Sequence, residues 1–196
     1  MATLFVDKLD PQSGTSLEIG SSGDTITIPS GATFTNSGTA TGFGGITEID
    51  YWRLSADTAG SGDSSYVVIS SNWERVDTDD FNVKGTGLSQ SSGVFTFPST
   101  GYYQINFWFQ NVVASGQYTR IQFQIDPQDG GGYSTAFDAQ AGSTPAEYTQ
   151  CVGGLIFDIP NVTHTMRFRN STSSGNLKGD SSKTESGFTC VRIGDT

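Results

Sequence analysis

The stretch that decides the fold is residues 101–113, GYYQINFWFQNVV. Its apolar side chains recur at every second position, at Tyr103, Ile105, Phe107 and Phe109, and polar amides fill most of the positions between them. In a β-strand successive side chains point to opposite faces, so this alternation is that of a long strand with one buried face. The stretch therefore predicts a central strand of a β-sheet.

Segments of the same kind recur from Ile46 to the C-terminus, separated by clusters of Gly, Pro, Asp and Ser. No helical periodicity interrupts them. About ten strands without crossover helices predict an all-β fold, an antiparallel β-sandwich or jelly roll. The predicted strands are TEIDYWRL, SYVVIS, NWERV, GVFTF, GYYQINFWFQNVV, YTRIQFQID, YSTAFDA, EYTQCVGGLIFDI, THTMRFRN and SGFTCVRIG.

Residues 1–45 differ from the predicted head domain, residues 46–196, in having no Trp or Tyr and many Gly, Ser and Thr residues. Their apolar residues form short alternating pairs, which predict an extended, β-rich N-terminal arm; a flexible linker is the alternative. So few apolar side chains cannot build a core of their own. We therefore expect other chains to order the arm by covering Leu17, Ile19, Ile26 and Ile28.

The chain carries a formal net charge of −10. That charge repels phosphate backbones and anionic lipid headgroups, so neither nucleic acid nor a membrane is an expected partner. The N-terminus MATLFVDKLD lacks the charged start and apolar core of a signal peptide. Two cysteines are too few for a disulfide framework, and Cys151 and Cys190 both fall in predicted strands, so buried thiols are expected.

No motif predicts catalysis or a cofactor, and we expect a structural or binding module rather than an enzyme. The single histidine, His164, alternates with apolar residues, and neither a nucleophile elbow nor a phosphate-binding glycine loop is present. Acidic residues cluster at residues 77–80 and 126–129, which are interpreted as solvated loops. These loops are also a weak candidate for calcium binding, without the spacing of a known calcium loop.

The run LSQSSGVFTFPSTGYYQINFWF resembles the central signature of the globular heads of complement q-subcomponent proteins, relatives of the tumour necrosis factor jelly roll. Leu88, Phe95, Gly101 and Tyr103 match that signature, and Ile105 stands where the family has Phe. The terminal TESGFTCVRIG is similar to the closing strand of the same family. The resemblance implies a ten-stranded jelly-roll head that assembles as a homotrimer and has no catalytic residues.

Residues 4–40 are similar in style to the low-complexity β arms of bacteriophage fibres and head appendages. Together with a trimeric head, this resemblance implies a virion surface protein, either a head-decorating cement protein or a fibre. Its expected partners are its own copies and another virion protein, such as the major capsid protein or a tail component. The candidate residues are Tyr102, Gln104, Trp108 and Gln110 for the trimer interface of the head, Leu17, Ile19, Ile26 and Ile28 for that of the arm, and Leu4, Phe5 and Val6 for the virion anchor.

A receptor-binding tail-fibre tip or a lectin-like head that recognises a host surface saccharide is the alternative. Sugars stack on aromatic rings, and Tyr133 beside the glycine run at residues 130–132 is the candidate ligand residue. A carbohydrate-degrading enzyme is the least favoured class, since only the many carboxylates support it.

Overall fold

Thirteen β-strands and no helix form within the residues that the computed structural model describes, namely 7–37, 45–60, 65–77, 80–113, 117–128, 130–143, 147–172 and 175–196. The candidate anchor Leu4, Phe5 and Val6 lies outside the described residues. The chain divides into two compact units, residues 1–42 and 43–196. The strands are β1 (Ile49–Leu54), β2 (Ala56–Ala59), β3 (Val67–Val68), β4 (Trp73–Arg75), β5 (Ser89–Ser91), β6 (Val94–Thr96), β7 (Gly101–Val113), β8 (Gln117–Asp126), β9 (Ser134–Ser143), β10 (Glu147–Ile159), β11 (Thr165–Thr172), β12 (Asn176–Asp180) and β13 (Gly187–Gly194).

The N-terminal unit forms turns but no strand within residues 7–37. One turn is closed by Asp24, whose backbone N–H donates to the Ser21 carbonyl at 2.9 Å and whose carboxylate accepts from the Ser21 N–H at 2.7 Å. The alternating pairs Leu17 and Ile19, and Ile26 and Ile28, on which the prediction of a β-rich arm rests, form no strand in the single chain. A strand needs a hydrogen-bonded neighbour, and residues 7–37 supply none to each other.

All the strands of the second unit pair antiparallel, in two sheets. The first sheet runs β2-β12-β7-β13-β1-β4, and β10 pairs with the other edge of β7. The second sheet runs β5-β6-β11-β8-β9, and β3 adds to β11. The predicted all-β antiparallel sandwich is confirmed.

Each of the ten predicted segments contains a strand, and β7 and β10 have the predicted bounds. Three further strands, β2, β5 and β12, were not predicted. They have three to five residues and read ADTA, SQS and NLKGD. None of the three alternates apolar and polar residues over its length. β2 and β5 lie at the ends of their sheets, and β12 lies between β2 and β7.

Strand β7 supplies the centre of the core between the two sheets. Its residues Tyr103, Ile105, Phe107 and Phe109 are all at most 1% exposed, as the alternation predicted. The Phe107 ring lies 5.4 Å from the ring centroid of Phe168, which belongs to the second sheet. Further rings pack around this pair, among them Phe95, Phe123, Phe137, Phe188 and Trp73.

A buried ion pair fixes one end of the sandwich. Asp50 of β1 is only 2% exposed and accepts two hydrogen bonds from Arg75 of β4, from Nε at 3.0 Å and from Nη2 at 3.1 Å. Its carboxylate also accepts from the Trp52 indole at 2.9 Å and from the Leu88 N–H at 2.7 Å. A buried charge is tolerated when its lone pairs are filled in this way. The carboxylate therefore joins β1, β4 and the segment before β5.

The two cysteines are free and buried, which confirms the sequence prediction. Cys151 of β10 lies opposite Phe109 of β7, and Cys190 of β13 lies opposite Ile105 of β7, so both cysteines point into the core. Burial raises the pKa of the Cys151 thiol to about 11 and that of Cys190 well above its usual value. Both thiols therefore stay protonated at neutral pH.

Truncating the central core residue tests the assigned inward face. We expect Phe107→Ala to lower the free energy of unfolding by about 3–5 kcal/mol, because the side chain is lost from a filled core. Val162→Ala is the control, since Val162 is already 47% exposed and should change stability by less than about 0.5 kcal/mol. Chemical denaturation measures both, and an unchanged midpoint for Phe107→Ala would show that the face is assigned backwards.

Thiol labelling tests the burial of the cysteines. The reactive species is the thiolate, so neither Cys151 nor Cys190 should react with a thiol-specific reagent in the native protein near pH 8 or below, under the ordinary thiol pKa of about 8.5. In denaturant both thiols should react. Rapid labelling of either cysteine without unfolding contradicts the packing described here.

Candidate functional site

The candidate site is the outer sheet face, defined as the side chains of β7 and β10 that point away from the core. In the register of the two strands Trp108 lies opposite Val152, Gln110 opposite Gln150 and Gln104 opposite Ile156. The predicted interface residues Tyr102, Gln104, Trp108 and Gln110 do lie together on this face, because they occupy alternate positions of one strand. The remaining members of the face are Asn106, Val112, Tyr148, Gly154 and Asp158.

Apolar side chains stand exposed on the outer sheet face. Tyr148, Val152 and Ile156 of β10 are 63%, 60% and 58% exposed, and Tyr102 and Val112 of β7 are 42% and 39% exposed. Single exposed apolar residues are normal on a protein surface, but a contiguous group marks an interaction site. The outer sheet face therefore has the composition of a surface that another molecule covers.

Sequence reasoning missed the contribution of β10. The signal was present in EYTQCVGGLIFDI, where Tyr148, Val152 and Ile156 repeat every fourth residue on one side while the core-facing side is apolar too. A strand that is apolar on both faces is typical of one covered on both faces.

An aromatic row extends the outer sheet face across β13 towards β1. The Trp108 ring centroid lies 5.8 Å from that of Tyr51, and Tyr51 lies 5.8 Å from Phe81. Phe81 is 55% exposed at the end of the row. Trp108 itself is half-buried, and the Tyr51 ring covers part of it.

Charge is scarce on the outer sheet face. Among its members on β7 and on residues 148–158 of β10, Asp158 is the only charged residue, and Gln104, Gln110 and Gln150 are neutral amides. Depletion of charge together with aromatic enrichment is the compositional signature of an interface core. An ordinary solvated face would carry Lys and Glu at these positions.

Glycine keeps β10 close to β7. A Cβ at Gly153 would lie 2.4 Å from the Phe107 ring, and a Cβ at Gly154 would lie 2.5 Å from the Asn106 side-chain oxygen. Any side chain at Gly153 would displace the central core ring. The glycine pair therefore leaves room for the Phe107 ring on the core side of β10 and for the Asn106 side chain on the outer sheet face.

The candidate ligand residue Tyr133 lies elsewhere, just before β9 of the second sheet. Its hydroxyl is 2.9 Å from the Thr165 hydroxyl, and the Arg167 guanidinium lies 3.6 Å from its ring centroid. One face of the ring is thus covered by Arg167. The structure does not bring Tyr133 to the residues of the outer sheet face, and it gives the ring no free stacking platform on that side.

Neither His164 nor the acidic residues form a metal site among the described residues. His164 lies in a turn before β11, where its backbone N–H donates to the Asn161 carbonyl at 3.1 Å. The described part of the chain has no group of three His, Cys, Asp or Glu residues that could hold a metal ion. Both acidic clusters considered for calcium extend outside the described residues, at residues 78–79 and 129. Within the described ranges no helix is long and apolar enough to cross a membrane.

Comparison with known proteins shows the fold alone. No protein-family model and no curated protein matches the sequence. A crystal structure of murine APRIL superposes with a TM-score of 0.55 at 12% identity over 74% of this chain and 98% of that chain, and a second, determined at pH 5.0, gives 0.53 at 15% over the same shares. The structure of Eiger TNF from S. frugiperda gives 0.50 at 12% identity, covering 76% and 93%. The chain has a jelly roll of the tumour necrosis factor type.

Proposed function

We propose that three copies of this chain assemble through the outer sheet face into the head of a bacteriophage surface protein, either a head-decorating cement protein or a fibre. The exposed apolar group on β7 and β10 is the observation that carries the proposal. Burying apolar surface contributes roughly 25 cal/mol per Å², so the group favours association over exposure to water. The same type of jelly roll is expected, from the resemblance in the sequence, to close as a trimer.

Three-fold closure accounts for the way the apolar group is placed. A heterologous interface places one part of the surface against a different part of the next copy, and three such contacts close a ring. Tyr148, Val152 and Ile156 lie on β10, at the edge of the first sheet, while the row from Trp108 to Phe81 extends across the same sheet. The two ends of the outer sheet face can therefore meet each other in neighbouring copies.

The arm supports assembly on a particle. Leu17, Ile19, Ile26 and Ile28 are 43–62% exposed in the single chain and have no core to join. Three copies side by side would give each arm the strand partners that it lacks and would bury these side chains together. Leu4, Phe5 and Val6 would then anchor the trimer to the major capsid protein or to a tail component at the virion surface.

The alternative remains a receptor-binding tail-fibre tip or lectin-like head, which would use the same trimer and a projecting ligand surface. Arg167 covers one face of the Tyr133 ring, so the predicted ligand residue offers a sugar at most its other face.

A charge placed in the outer sheet face tests the interface. We expect Val152→Asp to convert the assembly to monomers while the thermal unfolding of the head persists, because Val152 is 60% exposed in the single chain and carries no core contact that folding needs. Light scattering measures the mass. Val162→Asp introduces the same charge at a valine that is 47% exposed in a turn and should leave the mass unchanged. A Val152→Asp protein with the mass of the parent would exclude this face as the interface.

Intact particles test the virion assignment. In phage particles whose genome encodes the chain, we expect cryo-electron microscopy to show three-fold projections and mass spectrometry to find the chain in purified virions. A chain that stays on heads stripped of their tails supports the cement protein and argues against the tail fibre. Its absence from purified particles would overturn the virion proposal and leave the trimer standing.

A further inference from the structure

Three arginines lie together on the outward side of the second sheet, whereas the outer sheet face belongs to the first sheet. Arg167 and Arg169 alternate on β11, and Arg120 lies on the neighbouring strand β8. Arg169 lies opposite Gln122, and Arg167 lies opposite Gln124. Residues two apart on a strand, or diagonal across a pair of strands, are about 7 Å apart. The three guanidinium groups, named here the arginine face, therefore follow one another at similar steps.

These arginines differ from the other three in the chain. Arg53, Arg75 and Arg192 each form an ion pair, with Glu74, Asp50 and Asp195. None of the ion pairs among the described residues includes a residue of the arginine face. In a chain with a net charge of −10, three neighbouring arginines without a carboxylate partner are a local reversal of charge.

The carboxylates closest in the fold are engaged by other groups. Asp138 of β9 accepts hydrogen bonds from the Tyr66 hydroxyl at 3.1 Å and from Gln122 Nε2 at 3.0 Å. Asp126, at the end of β8, is 8% exposed and accepts from the Gln128 N–H at 2.8 Å. The three guanidinium groups outnumber these two carboxylates, and Asp126 attracts Arg167 electrostatically without forming an ion pair with it.

The guanidinium groups are held in place before any ligand arrives. Arg167 lies 3.6 Å from the ring centroid of Tyr133, and its Nε donates to Gln124 Oε1 at 2.8 Å. Arg120 repeats the arrangement, 4.5 Å from the ring centroid of Tyr118, with Nε donating to Gln140 Oε1 at 2.9 Å. A side chain fixed by stacking and by one hydrogen bond loses little entropy when it binds a ligand.

Arg169 completes the set in a slightly different way. Its guanidinium lies 5.5 Å from the ring centroid of Tyr66, and Nη2 donates to the Tyr66 backbone carbonyl at 2.6 Å. All three arginines are half-buried, so their charges are partly removed from water while part of each remains accessible. Electrostatic attraction to an anion is stronger in such a setting than at a fully exposed side chain.

We propose that the arginine face is a binding site for an acidic polysaccharide, in which uronate carboxylates are received by Arg120, Arg167 and Arg169. A guanidinium matches a planar carboxylate with two parallel hydrogen bonds. Amides and hydroxyls beside the arginines, from Gln122, Gln140 and Tyr66, suit the hydroxyl groups of a sugar chain. The site goes beyond the proposed assembly function and does not depend on it.

Two other polyanions fit the observations less well. Single-stranded nucleic acid is bound by stacking its bases on aromatic rings, and the rings of Tyr118 and Tyr133 are each already covered on one face by an arginine. An acidic peptide would use apolar anchors, and Val67 is the one large apolar residue of the second sheet's strands that stands exposed among the described residues. A uronate polymer needs neither free aromatic rings nor an apolar pocket, because carboxylates and hydroxyl groups are its only binding groups.

The test uses the intact chain and measures binding to polygalacturonate, with neutral dextran as the control polymer. We expect binding to polygalacturonate alone, weakened by added salt. The double variant Arg167→Gln/Arg169→Gln should bind at least about tenfold more weakly, since two charge-assisted contacts are lost. Lys84→Gln/Lys183→Gln removes the same charge elsewhere and should bind like the parent.

Further variants keep the test decisive. Arg167→Lys retains the charge but loses the planar pair of donors, so intermediate binding supports guanidinium recognition. Arg120→Gln removes one arginine of the face, and its binding to polygalacturonate tests the site even if the double variant has a lower melting temperature than the parent. No binding to polygalacturonate, an equal loss in the lysine control, or equal binding to polyglutamate or single-stranded DNA would overturn the proposal. Monomeric variants such as Val152→Asp should still bind, which separates this site from the trimer.

Discussion

The packing of Phe107 between the two sheets is the contact on which the rest of the head depends. Its ring meets Phe137 at 5.4 Å and Phe168 at 5.4 Å, which come from two strands of the opposite sheet. Gly153 across the strand pair leaves the room that this ring fills. Because the side-chain period of a strand is two, fixing Phe107 inward fixes Gln104, Trp108 and the other alternate residues of β7 outward. The inward position of Phe107 therefore decides which residues of β7 lie in the core and which lie on the outer sheet face.

The sequence was sufficient to predict the strands whose buried face imposes an alternation of apolar and polar residues. It was insufficient to predict the strands that lack this alternation. The bounds of β7 and β10 follow from their patterns, whereas β2 and β12 are held by backbone pairing with each other and have no apolar period. The buried charge of Asp50 could not be predicted, because the partner that stabilises it, Arg75, lies 25 residues away in the sequence. The residues of β7 on the outer sheet face could be predicted, but Tyr148 and Val152 needed the register of β10 against β7.

The two sheets carry opposite chemistry on their outward sides. The outer sheet face has exposed tyrosine, valine and isoleucine side chains with a single charged residue, whereas the arginine face has guanidinium groups stacked on tyrosines. An apolar face is suited to a permanent contact that excludes water, and a polar, pre-organised face is suited to a soluble ligand. The proposed subunit interface and the proposed polysaccharide site therefore lie on the outward sides of different sheets.

Self-association of the intact chain is the claim that supports both the interface and the ordering of the arm. Sedimentation equilibrium of residues 1–196, over a range of concentrations, measures it without any assumption about the virion. Closure as a ring of three gives a mass of about 62 kDa, three times the 20.8 kDa of one chain, that does not change on dilution. A stable species of 20.8 kDa would contradict the assignment of the outer sheet face as a subunit interface.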